Sequence, residues 1–351
     1  MPILFRWLFT GCLARAGTTL MALLAIFAII ETFDKTRFLG DQFTVALLIE
    51  YLALKIPFMI GEFMPIVILL ATSVFLVDLS RHHEIVAIRA AGLGINKIVL
   101  PATTVALLAA MISFAIDQWV APVTNHRLES IERVHIKHQA APHQRIQWLK
   151  DGHSFYRLTP LPHRHYALII LRTDEKGQWR EKIESGRASY RDGKWILHHP
   201  IISRPSQEGL SITRRKQLIV PSAASPKTAA PPAPSEMDLL TLNRYVADLE
   251  RAGLKAEPYI YALHKKLAAP LACLFMALLS IALCTHASGR SGAASWGVVL
   301  AIGLGLLFYV FNNASALLAT HGQLPAAFAA WLPSCVFGGL SVFLLLQREG
   351  F

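Results

Sequence analysis

Residues 52–77 read LALKIPFMIGEFMPIVILLATSVFLV, and this stretch decides the fold. Its ionisable side chains are Lys55 and Glu62 alone. A helix needs about 20 mostly apolar residues to cross the hydrocarbon core of a bilayer, so a run of this length and composition reads as a span. Five more segments are apolar over comparable lengths: Gly17–Phe33, Ile95–Val120, Tyr259–Cys284, Ala293–Leu318 and Ala326–Leu346. Three spans precede a long polar stretch and three follow it. Charged residues make up 16% of the chain, well below the ~25% usual for a soluble domain. The expected fold is therefore an integral membrane α-helical protein of six transmembrane helices, three and three, with one inserted extramembrane domain. Its segments are 1–121, 122–257 and 258–351.

Six crossings put both termini on one face and the insertion on the other. Arg6 and Arg15 precede or open the first span, Arg81, Arg89 and Lys97 fall between the second and third, and Arg290 follows the fourth. On the opposite face Lys35 and Arg37 are set against Glu31, Asp34 and Asp41. The basic excess in the short loops places the termini and the 78–97 loop in the cytoplasm. Lys265 and Lys266 follow a long domain, and long domains translocate largely regardless of charge. The first span has no small-residue cleavage site after it and reads as retained.

The insertion changes period. Arg145–Leu158, Tyr166–Arg172, Trp179–Glu184, Ala188–His198 and Gln217–Val220 are short runs rich in Ile, Leu, Tyr and Trp. Asp151-Gly152, Pro160 to Pro162, Glu175-Lys176-Gly177 and Asp192-Gly193 punctuate them. Asp-Gly between apolar runs is a hairpin cue, because glycine accepts the positive φ of a type I′ turn. Strands at this spacing predict an all-β sandwich, roll or open barrel. Thr124–His138 has a helical tendency and continues the third span outward, and the proline-rich 221–235 segment reads as a linker or loop. Asp238–Gly253 carries Leu239, Leu242, Tyr245, Val246 and Leu249 at helical spacing, an amphipathic helix leading into the fourth span.

Residues 121–257 hold 22 Lys and Arg against 14 Asp and Glu, eight of the chain's net eleven positive charges. A basic surface beside a membrane fits an anionic partner such as a phosphorylated glycolipid, and it equally fits a solvated basic surface. The basic residues are scattered rather than gathered on a reading element, which argues against nucleic acid. Cys12, Cys273, Cys284 and Cys335 all lie in or beside spans, so the insertion has no internal disulfide.

Chemistry of other kinds lacks its motifs. The pairs His82-His83, His163/His165 and His198-His199 have no partners at ligand spacing, and His83-Glu84 does not extend to His-Glu-x-x-His. There is no G-x-x-x-x-G-K-[ST] phosphate loop, and Ser288-Gly289-Arg290-Ser291-Gly292 is a loop turn rather than a nucleophile elbow. Ser113 and Asp117 have no partners at spacings that suggest a hydrolase. The chain reads as a non-enzyme.

The loop after the second span is the sharpest local signal. Asp78–Gly92 reads DLSRHHEIVAIRAAG, with Ile85, Ile88 and Ala91 on one face and Arg81, Glu84 and Arg89 available to another. A short amphipathic helix across the cytoplasmic ends of two spans, about 79–92, either docks a partner or rests on the lipid surface. Lys55 and Glu62, seven apart and roughly on one helical face, form a candidate intramembrane pair, structural or gating. Pro57 and Pro65 suggest a kinked or broken helix there.

The run Glu84-Ile85-Val86-Ala87-Ile88-Arg89-Ala90-Ala91-Gly92 resembles the coupling helix of the lipopolysaccharide export permeases, the LptF/LptG family. The six-span layout split around an inserted β domain is similar over nearly the whole chain. Gln118-Trp119-Val120-Ala121-Pro122, Trp148-Leu149-Lys150-Asp151-Gly152 and Phe308-Tyr309-Val310 look most like the LptG branch. The resemblance implies a permease subunit of an ABC transporter of the inner membrane, with a periplasmic, jellyroll-like β domain. It implies an LptF-like permease, a dimer of LptB-like ATPase and an LptC-like membrane-anchored β protein as partners. ATP and Mg would be held by the ATPase, and this chain would bind no cofactor or metal. In the family the coupling-helix acid docks in a groove of the ATPase, and Glu84 matches it, with Arg89 and Arg81 as neighbours. For a lipid with several acyl chains and a phosphorylated head, Phe27, Ile30, Phe33, Leu304, Phe308, Phe311 and Asn312 are candidate cavity walls. Lys35, Arg37, Arg133, Lys265 and Lys266 are candidate rim cations, or residues that snorkel to headgroups. One departure stands out: Glu31 occupies a place where the LptG branch tends to carry lysine. An LptF-type subunit and a membrane-anchored scaffold or sensor that binds glycan or protein are the alternatives.

Overall fold

Long apolar runs bounded by charge form helices long enough to cross a bilayer, and the computed structural model holds six among its described residues. The structure describes residues 2–40, 43–94, 96–133, 147–151, 154–161, 165–174, 178–191, 193–206, 209–222, 233–251, 255–286 and 293–347. Arg290 with its 288–292 turn, residues 134–138, the turns at 152, 162 and 175–177, and most of the proline-rich 221–235 segment lie outside them.

The chain divides into two compact units: Met1–Leu128 with Pro234–Leu239 and Glu257–Phe351, and Glu129–Ala233 with Leu240–Ala256. The first is helical. Helix α1 runs Pro2–Thr36, starting on a proline whose missing N–H has no helical partner in any case. Helix α2 runs Val45–Arg81, with the Thr44 hydroxyl accepting the Leu47 N–H at 3.4 Å. Pro57 and Pro65 sit inside α2 without breaking it. Helix α3 is Glu84–Ala90. Helix α4, Asn96–Ala115, passes through a π turn at Ile116–Val120 into α5, Ala121–Ile131, so the third span continues helically past Val120. After the second unit come α7 (Glu257–His286), α8 (Ala293–Thr320) and α9 (Ala326–Leu346), where α6 denotes Leu239–Arg251.

Between lipid-solvated helices there is little hydrophobic drive, and close packing with interhelical hydrogen bonds holds them instead. The buried hydroxyls of Ser73 on α2 and Ser280 on α7 lie 2.8 Å apart. Small residues set the approach of α9 to α7: a Cβ on Gly338 would stand 3.0 Å from the Phe275 ring. Gly338→Ala should therefore overpack this contact and cost about 1–3 kcal/mol. Thermal unfolding in detergent checks this, with Gly339→Ala, where a Cβ meets open space inside the same helix, expected to be slightly stabilising. Helix α2 is the central element and is buried over much of its length, whereas α1 is mostly exposed and packs along one side of it.

The second unit is antiparallel β followed by α6. Its strands are β1 (Gln147–Asp151), β2 (Ser154–Leu161), β3 (His165–Thr173), β4 (Trp179–Arg191), β5 (Lys194–His198), β6 (Ile201–Ser206), β7 (Gly209–Arg214) and β8 (Gln217–Pro221). They pair in the order β1-β2-β3-β4-β5-β8, and β4 also pairs with β6, which pairs with β7. The sheet thus forks along one edge of β4: Arg187–Arg191 faces β5 and Lys182–Glu184 faces β6. The break between the two branches is His199-Pro200. His199 has φ 50° and proline has no N–H to continue a ladder.

Two expected runs, Trp179–Glu184 and Ala188–His198, regroup. The first extends through Gly186 to Arg191 as one strand, because β4 carries an extra residue between Ser185 and Ala188. That bulge shifts the inward phase by one, so Ile183 and Ala188 both face the core. Strand β5 then starts at Lys194, just after Gly193 at φ 76°, and Asp192 lies outside the described residues. The inward set is Tyr156, Leu158, Leu168, Ile170, Ile183, Ala188, Trp195, Leu197, Ile202 and Val220. Trp195 is fully buried and meets Tyr166 and Tyr190 edge-on at 5.6 and 5.1 Å. In α6 the buried residues are Leu242, Val246 and Leu249, the face expected from the sequence.

Candidate functional site

Helix α3 is built by its two ends. His82 caps α2, and His83, in the left-handed region at φ 57°, redirects the chain so that Glu84 opens the new helix. Gly92, at φ 74°, closes it: the Leu93 N–H donates to the Ile88 carbonyl at 3.2 Å, the long bond of a glycine C-terminal stop. The helix is shorter than the 79–92 read from the sequence. Leu79 to Arg81 belong to α2, which has no helix breaker before the His82-His83 joint. Ile88 is buried and Ile85 packs on the same cluster, but Ala91 is exposed rather than on the anchored face. Val86 points outward at 62% exposure and Glu84 is half-buried beside the helix start, where its charge suits the free N–H groups. Arg81 is the last, exposed residue of α2, and the side chain of Arg89 lies outside the described residues.

The candidate rim cations each meet a carboxylate of this chain. Lys35 lies 3.1 Å from Asp34 and 3.7 Å from Glu31, and Arg37 lies 3.1 Å from Asp34. Lys265 meets Glu62 at 2.8 Å, and buried Lys266 meets Asp117 at 2.7 Å. Arg133 donates to Glu129 at 2.7 Å, within the second unit.

The Lys55–Glu62 pair does not form. Two helical turns separate the residues by roughly 10 Å of rise, and each reaches a different helix. Lys55 turns to α1, donating to Glu31 at 2.5 Å and to the Tyr51 hydroxyl at 3.0 Å, and Tyr51 donates to Glu31 at 2.8 Å. Glu31, where the resemblance led one to look for a lysine, is thus buried under an ammonium from α2. Glu62 turns to α7 and α8, accepting from Lys265 and from the Asn312 amide at 3.2 Å. Beside it is a cavity of about 20 Å³ lined by Gly61, Glu62, Pro65, Lys265, Phe308, Asn312 and Ser334, among others. That is room for one water.

The candidate wall residues differ in where they lie. Phe27 is half-buried, edge-on to Phe63 at 5.9 Å, with the Lys55 ammonium 5.4 Å from its ring. Ile30 and Phe33 are exposed on the outside of α1. Leu304 and Phe311 pack half-buried on a cluster containing Leu69, Met276 and Phe337. Phe308 is 5% exposed and edge-on to Phe337 at 5.2 Å, so within this chain it packs helices. Tyr51, fully buried over Glu31, and the pairing of Asp78 with Arg15 escaped the sequence reading, and Asp117, weighed there only as a hydrolase acid, is the partner of Lys266. An acid inside an apolar span was the available signal for Asp117.

The chain is similar to LptG of Haemophilus influenzae, "Lipopolysaccharide export system permease protein LptG", at 24% identity over 359 residues, 98% of each chain. It is also 24% identical to the protein of that name from Escherichia coli strain K12 over 354 residues, 94% of each chain. The family model described as lipopolysaccharide export system permease LptF/LptG matches residues 6–347. That match takes in all six spans and the inserted sheet, and the chain belongs to the LptF/LptG family of lipopolysaccharide export system permeases.

Proposed function

We propose that this chain is the LptG-type permease subunit of a transporter that extracts lipopolysaccharide from the bacterial inner membrane and passes it to a periplasmic bridge of β-jellyroll domains. It pairs with an LptF-like six-span chain, sits on a dimer of LptB-like ATPase and is joined by an LptC-like anchored β protein. The ATPase binds ATP and Mg and supplies the energy, and this chain binds no cofactor. Both termini and α3 are cytoplasmic, and the β sheet is periplasmic.

The observation that carries this reading is α3. Its inner face, Ile85 and Ile88, is anchored in the spans, while Val86 and Glu84 are left for a partner. A helix held that way passes on a push from below. The rim works by exchange, since an incoming lipid phosphate must displace a carboxylate from each cation. Arg37, 66% exposed over Asp34, is the first cation a headgroup can reach. Purification of tagged chain from its native host in mild detergent, with mass spectrometry of what accompanies it, tests the assignment. A nucleotide-binding subunit, a second six-span chain and lipopolysaccharide are the expected companions. Recovery of the chain alone, or with only a soluble periplasmic protein, contradicts it and favours a scaffold or sensor.

A further inference from the structure

Arg15 of α1 and Asp78 of α2 form an ion pair that the coupling reading above does not use. The surroundings give it a place. The Arg15 guanidinium also donates to the Gly11 carbonyl at 3.1 Å and stands 5.3 Å from the centroid of the Phe75 ring. A Cβ on Gly11 would lie 3.2 Å from that ring, so α1 and α2 are in close approach here. Asp78 lies in the last turns of α2. Its carbonyl accepts the His82 N–H at 3.2 Å and faces the His82 Nδ1 at 2.9 Å. One helical turn and the His82-His83 joint therefore separate Asp78 from Glu84.

Two further facts bear on what the pair does. Ile85 and Ile88 of α3 share one apolar cluster with Leu8 and Cys12 of α1 and Phe75 and Leu79 of α2. Farther along, α1 is tied to α2 again through Lys55 and Tyr51 at Glu31, while much of its remaining surface is exposed. The two side chains are 32% and 38% exposed, and partly exposed pairs add little to stability. A charge tie between the first span and the end of the helix that carries α3 has a better use in transmission.

We propose that Arg15–Asp78 is a positioning pair that makes α1 follow α3, so that a displacement delivered at Glu84 reaches the first span rather than being lost at the α1–α2 contact. This rests on the coupling role proposed for α3. The test uses the full complex in proteoliposomes, comparing the parent with Arg15→Asp, Asp78→Arg and the double exchange. Lipopolysaccharide released per ATP hydrolysed should fall about tenfold in each single variant, the scale of mutations along a coupled network. ATPase activity should stay within about twofold, and the double exchange should regain most of the ratio. An unchanged ratio in the single variants, including variants that merely assemble in lower yield, overturns the proposal. So does a double exchange as poor as the worse single one. A parent complex that shows no ATP-driven release would instead refute the coupling role itself, which keeps the two failures apart.

Discussion

Glu84→Lys is expected to leave this chain folded in the membrane and to reduce lipopolysaccharide transport by roughly a hundredfold, about 3 kcal/mol of lost docking. The substitution places a like charge where the proposed groove on the ATPase meets an acid, and an unmatched charge in a desolvated contact is the costly case. The folded chain hardly notices. An acid in the first turn of a helix contributes about 0.3–1 kcal/mol through the free N–H groups. The apolar anchors Ile85 and Ile88 are untouched. Co-purification of the nucleotide-binding subunit and stimulation of its ATPase are the direct readouts. Glu84→Ala should fall between the two, because it removes the attraction without adding repulsion. Wild-type assembly and transport by the Glu84→Lys complex would remove this residue from the coupling site.

The second large effect is expected at Lys265. Its ammonium holds both carboxylate oxygens of Glu62, at 2.8 and 3.2 Å, and Asn312 adds one donor. Lys265→Met leaves that carboxylate charged among apolar helices, at a cost of about 3 kcal/mol. This is the low end for a broken buried pair, because the Lys265 side chain is 32% exposed. Combining it with Glu62→Met should recover most of the loss, since two apolar side chains replace a buried pair at little net cost. Resistance to thermal unfolding in detergent separates these outcomes. Equal stability of the single and double variants would show that the two side chains are not energetically coupled.

The six spans were legible because hydropathy is a local property of the chain. Their ends were less so. Arg6 and Arg15 lower the apolar density before Gly17, yet nothing there stops a helix, and α1 begins at Pro2. The same reason shortens α3: Leu79–Arg81 was read as the start of the short helix but continues α2, since no breaker stands before the His82-His83 joint. In the sheet, β2, β3 and β8 followed the alternation of their side chains. The strands β6 and β7 did not, since Pro205, Gly209 and the polar residues between them blur the period. The bulge at Gly186 looked like a gap for the same reason.

The charged residues of the candidate site were visible one at a time, as ionisable groups in or beside apolar runs. Their partners were not. Sequence spacing compared Lys55 with Glu62 on one helix, but each group is satisfied by a neighbouring helix, through Glu31 and Lys265. Pairing across helices is fixed by packing, which no helical period reveals. Tyr51 shows the limit clearly, because its role comes from the burial of Glu31 beside its hydroxyl.

The most direct test of the transport role is release of lipopolysaccharide from proteoliposomes holding this chain with its LptF-like, LptB-like and LptC-like partners, onto a soluble β-jellyroll acceptor. Release should require this chain and hydrolysable ATP, and should stop with a non-hydrolysable analogue. Equal release when this chain is omitted, or when ATP is not hydrolysed, would contradict its role as a coupled permease subunit.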